Sequence, residues 1–158
     1  MANTQAMTTS FMGELMTATH NFGTAPVRAS GATDAFKAAL YLTTATVNAS
    51  TTAYSATNEV SGSGYTPGGV AVSFGTPPTA TNSSTTAGVA FVTPSASITY
   101  TTVTLATAFD AVLIYNSTQA DKAVSVHTFG SQTVTAGTFT LTMPANTTTT
   151  ALIRLATT

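Results

Sequence analysis

Residues 108–130 constrain the fold most, because they predict two neighbouring β-strands joined by a short polar loop. Successive side chains of a strand point to opposite faces, so Val112 and Ile114 share one face while Leu113 and Tyr115 share the other. Both faces of this first strand are therefore apolar. A strand of that kind is covered on both sides, and we expect it at the centre of a sheet.

The second strand of this stretch, residues 123–129, is more polar. Val124 and Val126 alternate with Ser125 and His127, which is typical of a half-exposed antiparallel neighbour. The run between the two strands is rich in Asn, Ser and Asp, whose side chains satisfy local backbone groups in turns. The stretch thus predicts a hairpin and indicates no catalytic chemistry.

The composition predicts an all-β fold. Threonine makes up about a quarter of the chain, whereas charged residues make up only 6%. Because threonine is β-branched, it suits a pleated strand and disfavours long helices. Cysteine is absent, so neither disulfides nor a thiolate metal site can hold the chain together. Low charge also leaves a free monomer poorly protected against association, which weakly favours a life within an assembly.

Eight short strands separated by turn residues are predicted. They cover residues 35–43, 70–74, 88–93 and 97–105, the two strands of residues 108–130, and residues 138–143 and 151–155. In the first strand, Phe36 and Leu40 are expected to point inward and Lys37 and Tyr41 outward. Residues 79–87 are expected to form a loop. Eight strands with this spacing predict an antiparallel β-sandwich, with a jelly roll as the leading topology.

Residues 1–34 are expected to form an N-terminal arm with a short helix and a linker, and residues 35–158 the β-sandwich domain. Residues 1–9 are small and polar, and they predict a flexible segment unless a partner orders it. Ser10 can cap a helix that runs to about His20. Its apolar side consists of Phe11, Met12, Leu15, Met16 and Phe22. A helix this short is marginal alone, so it packs either on its own sandwich or on a neighbouring subunit.

Residues 45–69 form a long polar connection that contains Tyr54, Glu59 and Tyr65. The segment is longer than an ordinary loop, and such loops are usually functional or ordered by a partner. Two interpretations of its aromatic residues stay open. They either complete the core of the monomer or anchor an interface, where aromatic side chains are enriched.

The sequence offers no arrangement typical of an enzyme or a metal site. His20 and His127 are the only histidines, and neither has a second ligand at metal-binding spacing. No nucleophile elbow or phosphate-binding glycine loop is present, so no catalytic, metal-binding or cofactor-binding residue is assigned. The four Lys and Arg residues are scattered singly, which disfavours nucleic-acid binding. No apolar run is long enough to span a membrane, and no signal peptide is expected.

Three stretches together resemble a family of small virion proteins of tailed bacteriophages. The first is residues 11–15 (Phe-Met-Gly-Glu-Leu) with residues 20–22, the second is residues 36–41 with residues 49–69, and the third is residues 113–118 with residues 122–124. The most specific part is Thr-Asn-Glu-Val-Ser-Gly-Ser-Gly-Tyr at residues 57–65.

The resemblance implies a non-enzymatic structural protein, and the first interpretation is a capsid decoration or cement protein. Such a protein binds the outer shell and ties neighbouring subunits of the major capsid protein together. The expected partners are the major capsid protein and further copies of this chain, as a dimer or trimer, but no nucleic acid and no membrane. The expected location is the capsid surface of the virion, after synthesis in the bacterial cytoplasm.

Two kinds of alternative stay open. One is a head-fibre or tail accessory or a host- or glycan-binding module, although the absence of tryptophan disfavours a sugar-stacking surface. The other is a head–tail joining protein. Under the cement interpretation the candidate assembly contacts are Phe11, Met12, Leu15, Met16, Phe22, Tyr54, Glu59 and Tyr65.

Overall fold

The computed structural model describes residues 3–8, 11, 15, 19–20, 22, 33–76, 78–81 and 88–156. This part of the chain forms eight strands in two antiparallel sheets, which confirms the predicted all-β class and is consistent with a β-sandwich. The strands are β1 (Ala6–Met7), β2 (Phe36–Leu42), β3 (Val70–Val72), β4 (Thr79–Ala80), β5 (Val89–Val92), β6 (Ile98–Asn116), β7 (Lys122–Leu141) and β8 (Ile153–Ala156).

The larger sheet has the order β1-β7-β6-β2-β3, and the smaller sheet has the order β4-β5-β8. β4 falls within a stretch that was expected to be a loop; its two residues pair with Phe91 and Ala90 of β5. The predicted jelly-roll topology and the predicted domain boundary at residue 34 both stay predictions. Of the predicted helix, Phe11 and Leu15 are helical, and most of its other residues lie outside the described part of the chain.

The hairpin predicted from residues 108–130 is confirmed as the turn between β6 and β7, but both strands are far longer than predicted. Separate strands had been expected before Ala108 and after Gly130. The ladder instead continues through both positions, because register shifts in β6 and β7 absorb the irregularities. Local turn-like residues therefore mark bulges here and not strand ends.

β6 is the central strand of the larger sheet, as its two apolar faces predicted. On one face Val112 and Ile114 belong to the main hydrophobic core. On the other face Leu113 and Tyr115 belong to a second core cluster. Tyr41 of β2 also lies in this second cluster and is 2% exposed, so its predicted outward position is wrong. The long connection after β2 covers that face, which alternation within β2 could not indicate.

The predicted half-exposed character of β7 is wrong at its start, where Val124, Ser125 and Val126 are buried. Ile114 pairs with Ser125 and Tyr115 pairs with Ala123, so Val124 is an extra residue in the ladder. This bulge reverses the alternation. As a result Val124 contributes to the main core and Val126 to the second cluster, although simple alternation had placed them on one face.

The segment at residues 3–8 is not a flexible arm but part of the larger sheet. Ala6 and Met7 of β1 pair with Val126 and Ser125 of β7. The side chain of Asn3 donates to the carbonyl of Leu42, 3.1 Å away, and the backbone amide of Thr8 donates to the carbonyl of Val124, 3.2 Å away. An extended backbone can complete a ladder whatever its side chains, so a polar composition gave no sign of this pairing.

Candidate functional site

The predicted contact residues of the long connection meet around one carboxylate. Glu59 accepts a hydrogen bond from the Tyr54 hydroxyl at 2.6 Å through Oε2. Its Oε1 accepts from the Tyr65 hydroxyl and from the backbone N–H of Gly68, both at 2.7 Å. We call these four residues the Glu59 network. Three donors converge on one carboxylate that lies at the end of β2, opposite Tyr41.

The network extends to every tyrosine of the chain. Tyr54 stacks on Tyr115 with ring centroids 4.7 Å apart, and Tyr65 stacks on Tyr100 at 5.9 Å. Their remaining polar contacts tie strands to the long connection. They include the hydrogen bonds from the Tyr41 hydroxyl to the Ser55 carbonyl, from the Tyr100 hydroxyl to the Ala38 carbonyl, from the Tyr115 hydroxyl to the Gly68 carbonyl, and from the Leu40 amide to the Tyr65 hydroxyl. The tyrosines therefore join the connection to β2 and β6.

Burial makes these phenols hard to ionise. It raises the pKa of Tyr41 to about 12, with a smaller contribution from Glu59. Burial, with the charges of Asp121 and Glu59, likewise raises the pKa of Tyr115 to about 12. Burial also raises the pKa of Tyr65, to which the hydrogen bond with Glu59 adds. None of these groups is suited to act as a base near neutral pH.

We expect the protein to lose stability steeply above about pH 10, the ordinary pKa of tyrosine. The unfolded chain releases its phenolic protons there, whereas the native Tyr41 and Tyr115 hold theirs to about pH 12. Unfolding thus releases protons and is favoured as the pH rises between these values. Urea unfolding at a series of pH values, with ultraviolet absorbance of phenolate, measures this. The prediction would be contradicted if all five tyrosines ionised near pH 10 while the chain remained folded.

Glycines explain how the long connection lies so close to the sheet. Gly64 has a φ of +78°, and a Cβ at this position would overlap the carbonyl oxygen of Thr102. Gly69 has a φ of +74°, and a Cβ there would overlap the carbonyl oxygen of Ala38. The connection is therefore ordered by its own sheet. Gly64 belongs to residues 57–65, so this part of the connection lies directly against β6.

A second group of predicted contacts lies in the N-terminal segment. Phe11 and Phe22 are buried and meet edge to face, with ring centroids 5.7 Å apart. Phe22 also stacks on Phe36 of β2 at 4.6 Å and meets Phe74 at 4.8 Å. Leu15 is partly buried against the same core. These contacts agree with packing on the protein's own sandwich, and Met12 and Met16 lie outside the described residues.

The role of the contact candidates in an assembly stays a prediction. The structure brings them together as two groups, Phe11 with Leu15 and Phe22, and Tyr54 with Glu59 and Tyr65. In both groups the described side chains have partners within the chain. Their burial explains their residue types without any second protein.

A buried polar cluster beside Phe11 was not found from the sequence. The side-chain amide of Asn116 is fully buried, donates to Asp34 at 2.8 Å and lies 3.1 Å from Nδ1 of His20. Gln119 donates to the other oxygen of Asp34 at 3.1 Å. The cluster fixes the turn after β6 to the chain before β2. The available signal was a polar residue directly after an apolar strand, which is equally typical of an ordinary turn.

An apolar cleft opens beside the smaller sheet. Its lining is almost entirely apolar and includes Phe11, Leu15, Phe91 and Leu155, with a free volume of about 70 Å³. Leu155 of β8 is 39% exposed, and it is the one large hydrophobic side chain among the described residues that counts as exposed. The cleft can therefore accept a small apolar group from outside.

The part of the β6–β7 hairpin that lies away from its turn, beyond Asp110 in β6 and beyond Lys122 in β7, contains no charged residue. No charged residue occurs between Glu59 and Asp110 or between Lys122 and Arg154. We call the exposed side chains of residues 101–107 in β6 and 130–140 in β7 the ribbon surface. It consists of Thr101, Thr102, Ala106, Thr107, Gly130, Ser131, Gln132, Thr133, Thr135, Ala136, Thr138 and Thr140. Such a surface offers hydroxyl groups and methyl groups without any charge.

The described residues contain no group of three or more His, Cys, Asp or Glu side chains placed to hold a metal ion. His127 lies next to Ser125, with Nε2 and Oγ 2.9 Å apart. Burial lowers the pKa of His127 to about 4, so the ring is neutral at ordinary pH. Within the same described part, no helix is both long and apolar enough to cross a membrane.

Comparison of the chain with protein-family models, with curated proteins and with solved structures finds no match.

Proposed function

We propose that the protein is a non-enzymatic structural component of a bacteriophage virion that binds the outer shell and stabilises contacts between subunits of the major capsid protein. The proposal is motivated by the resemblance to small virion proteins of tailed bacteriophages at residues 11–15 with 20–22, 36–41 with 49–69, and 113–118 with 122–124. The observation that carries it in the structure is the uncharged ribbon surface.

The ribbon surface supports the proposal because free soluble proteins depend on surface charge to resist association. The ribbon surface of this chain consists of Thr, Ser, Gln, Ala and Gly residues without a single Lys, Arg, Asp or Glu. A subunit that remains bound to a shell does not need surface charge to prevent association. When an interface forms, removing uncharged hydroxyl-bearing side chains from water also costs less free energy than removing charged ones.

The arrangement of the polar groups supports a structural role as well. The Glu59 carboxylate accepts three hydrogen bonds from Tyr54, Tyr65 and Gly68, so its oxygens are engaged inside the fold. Asp34 accepts from Asn116 and Gln119 in the same way. These groups hold segments of the described chain together.

The proposal is tested by adding purified protein to capsids that lack it. We expect binding in many copies per particle and a higher temperature of capsid disruption, measured by calorimetry and light scattering. A Thr133→Lys/Thr135→Lys variant of the ribbon surface should fold normally and bind the capsids at least several-fold more weakly. The matched control is Asn146→Lys/Thr149→Lys, which adds the same charge at exposed positions outside the ribbon surface.

The molar ratio of this protein to the major capsid protein in purified particles decides between the proposal and its alternatives. A ratio of the order of one copy per few shell subunits agrees with a cement protein. A small fixed number of copies per particle would instead indicate a connector or a tail position. Binding to host cells or glycans without capsid binding would replace the proposal with a receptor-binding role.

A further inference from the structure

Within the described part of the chain, strand β8 is hydrogen-bonded to another strand on one side only. Among the described residues it pairs with β5 alone, through Ile153 to Ala156. Beyond its other edge lies a cleft of about 290 Å³, which we call the β8 edge cleft. The opposite wall of the cleft is formed by Ala6 and Met7 of β1, the outermost strand of the larger sheet, and by Gln5 and His127. The two sheets thus leave a slot between two outermost strands.

An edge strand presents backbone N–H and C=O groups that can pair with another extended chain. The protein already uses this mode internally, because β1 adds two residues to the edge of β7. At β8 the equivalent position holds no strand of the described chain. From this geometry we propose that the β8 edge cleft binds an extended strand from a partner protein.

The side chains of β8 indicate what that strand must carry. Ile153 and Leu155 lie on one face of β8 and line the apolar cleft, in which Leu155 is 39% exposed. An incoming strand places alternate side chains over this face, so an aliphatic residue would cover Leu155 and enter the cleft. Burial of such a side chain contributes most of the binding free energy.

Arg154 points to the opposite face of β8 and is exposed. Its guanidinium donates to the carbonyl of Thr149 at 2.9 Å, and within the described chain it forms no ion pair with a carboxylate. Antiparallel pairing of β8 with β8 of a second copy, aligned at residue 154, would place two Arg154 side chains opposite each other, which is unfavourable. A partner strand with an acidic residue between two aliphatic ones has the complementary charge. The occupant is therefore a different protein and not a second copy.

The inference does not depend on the virion proposal, because it is tested on the isolated protein. The probe is a synthetic peptide that alternates leucine and threonine and carries one central glutamate. We expect it to slow hydrogen exchange of the amides at residues 153–156 and to shift their NMR signals, while β3 and β4, the outermost strands at the far sides of the two sheets, are unaffected. The same peptide with a central proline lacks the required N–H and should not bind.

Two variants test the roles of the side chains. Leu155→Asn should weaken binding by about tenfold. Arg154→Glu should weaken binding of the glutamate peptide by about threefold and improve binding of a peptide with lysine in its place. Lys37→Glu, a charge reversal on β2 outside the cleft, is the control and should change neither affinity.

Three results would overturn the inference. One is the absence of protection at residues 153–156 at saturating peptide. A second is equal binding of the proline peptide. The third is protection of β8 that depends on protein concentration without any peptide, because it would identify a second copy as the occupant.

Discussion

Gly69→Ala is expected to lower the free energy of unfolding by about 4 kcal/mol or more, which is among the largest effects of single substitutions. Gly69 has a φ of +74°, a conformation that costs an alanine about 1–2 kcal/mol. In addition, its new Cβ would overlap the carbonyl oxygen of Ala38. That oxygen accepts the hydrogen bond of Tyr100 at 2.7 Å, so the backbone of β2 cannot move without loss of a buried contact.

Gly130→Ala is the matched control for this prediction. Gly130 also lies in a sheet, within β7, but a Cβ there would meet no atom within 4 Å, and its φ is not positive. We expect it to change the free energy of unfolding by about 0.5 kcal/mol or less. Urea unfolding of both variants, followed by circular dichroism, provides the comparison. Equal effects of the two substitutions would show that the long connection does not pack on β2 as described.

The sequence predicted the elements whose information is local. Residues 111–115 alternate apolar side chains on both faces, and this pattern located the central strand of the larger sheet. The turn after this strand was identified from its Asn, Ser and Asp residues, because their preference for turns is also local information. β6 and β7 were nevertheless divided too often, because Gly130 and the Ala-Thr steps of β6 resemble strand ends. Whether these residues end a strand depends on the strand that pairs with them. A pattern of neighbouring residues gives no information about that partner strand.

Bulges and backbone pairing account for the other differences. The extra residue at Val124 reverses which face of β7 each later side chain points to. The residue types of Ala123–Val126 do not distinguish a bulge from a regular strand. Thr102 has a φ of +54° and Ala136 a φ of +44°, although neither residue type favours that region. These conformations are imposed by the pairing of two long strands. β1 was missed because its role depends on its backbone alone.

In the candidate site, too, the sequence indicated individual residues but not the contacts between distant parts of the chain. Tyr54, Glu59 and Tyr65 were selected as unusual residues of a long polar connection, but their mutual hydrogen bonds could not be predicted. Their partners lie far away in sequence, as with Tyr115, which stacks on Tyr54. A single carboxylate in a segment with little charge, followed by closely spaced glycines, was the one available sign. This pattern is as typical of a loop that packs tightly on its own sheet as of a loop that forms an interface with another protein.

Glu59→Ala is expected to lower the free energy of unfolding by about 3 kcal/mol, since unsatisfied buried donors cost about 1–3 kcal/mol each. The substitution removes the acceptor for the Tyr54 and Tyr65 hydroxyls and for the Gly68 amide. Tyr54 is only half-buried and can bind water instead, whereas Tyr65 is 9% exposed. The loss should therefore come mainly from Tyr65 and Gly68, and the chain around them should exchange its amide hydrogens faster.

Asp121→Asn is the control, because it neutralises an exposed carboxylate at a φ of +55° that asparagine also adopts. It should cost less than about 0.5 kcal/mol. Tyr54→Phe removes one donor and leaves Glu59 two, so we expect a loss of about 1 kcal/mol. In the Glu59→Ala background the same Tyr54→Phe change should cost almost nothing, because its hydrogen bond is already gone. Additive losses in the double variant would show that Glu59 and Tyr54 act independently, and the network would then not explain how the long connection is held.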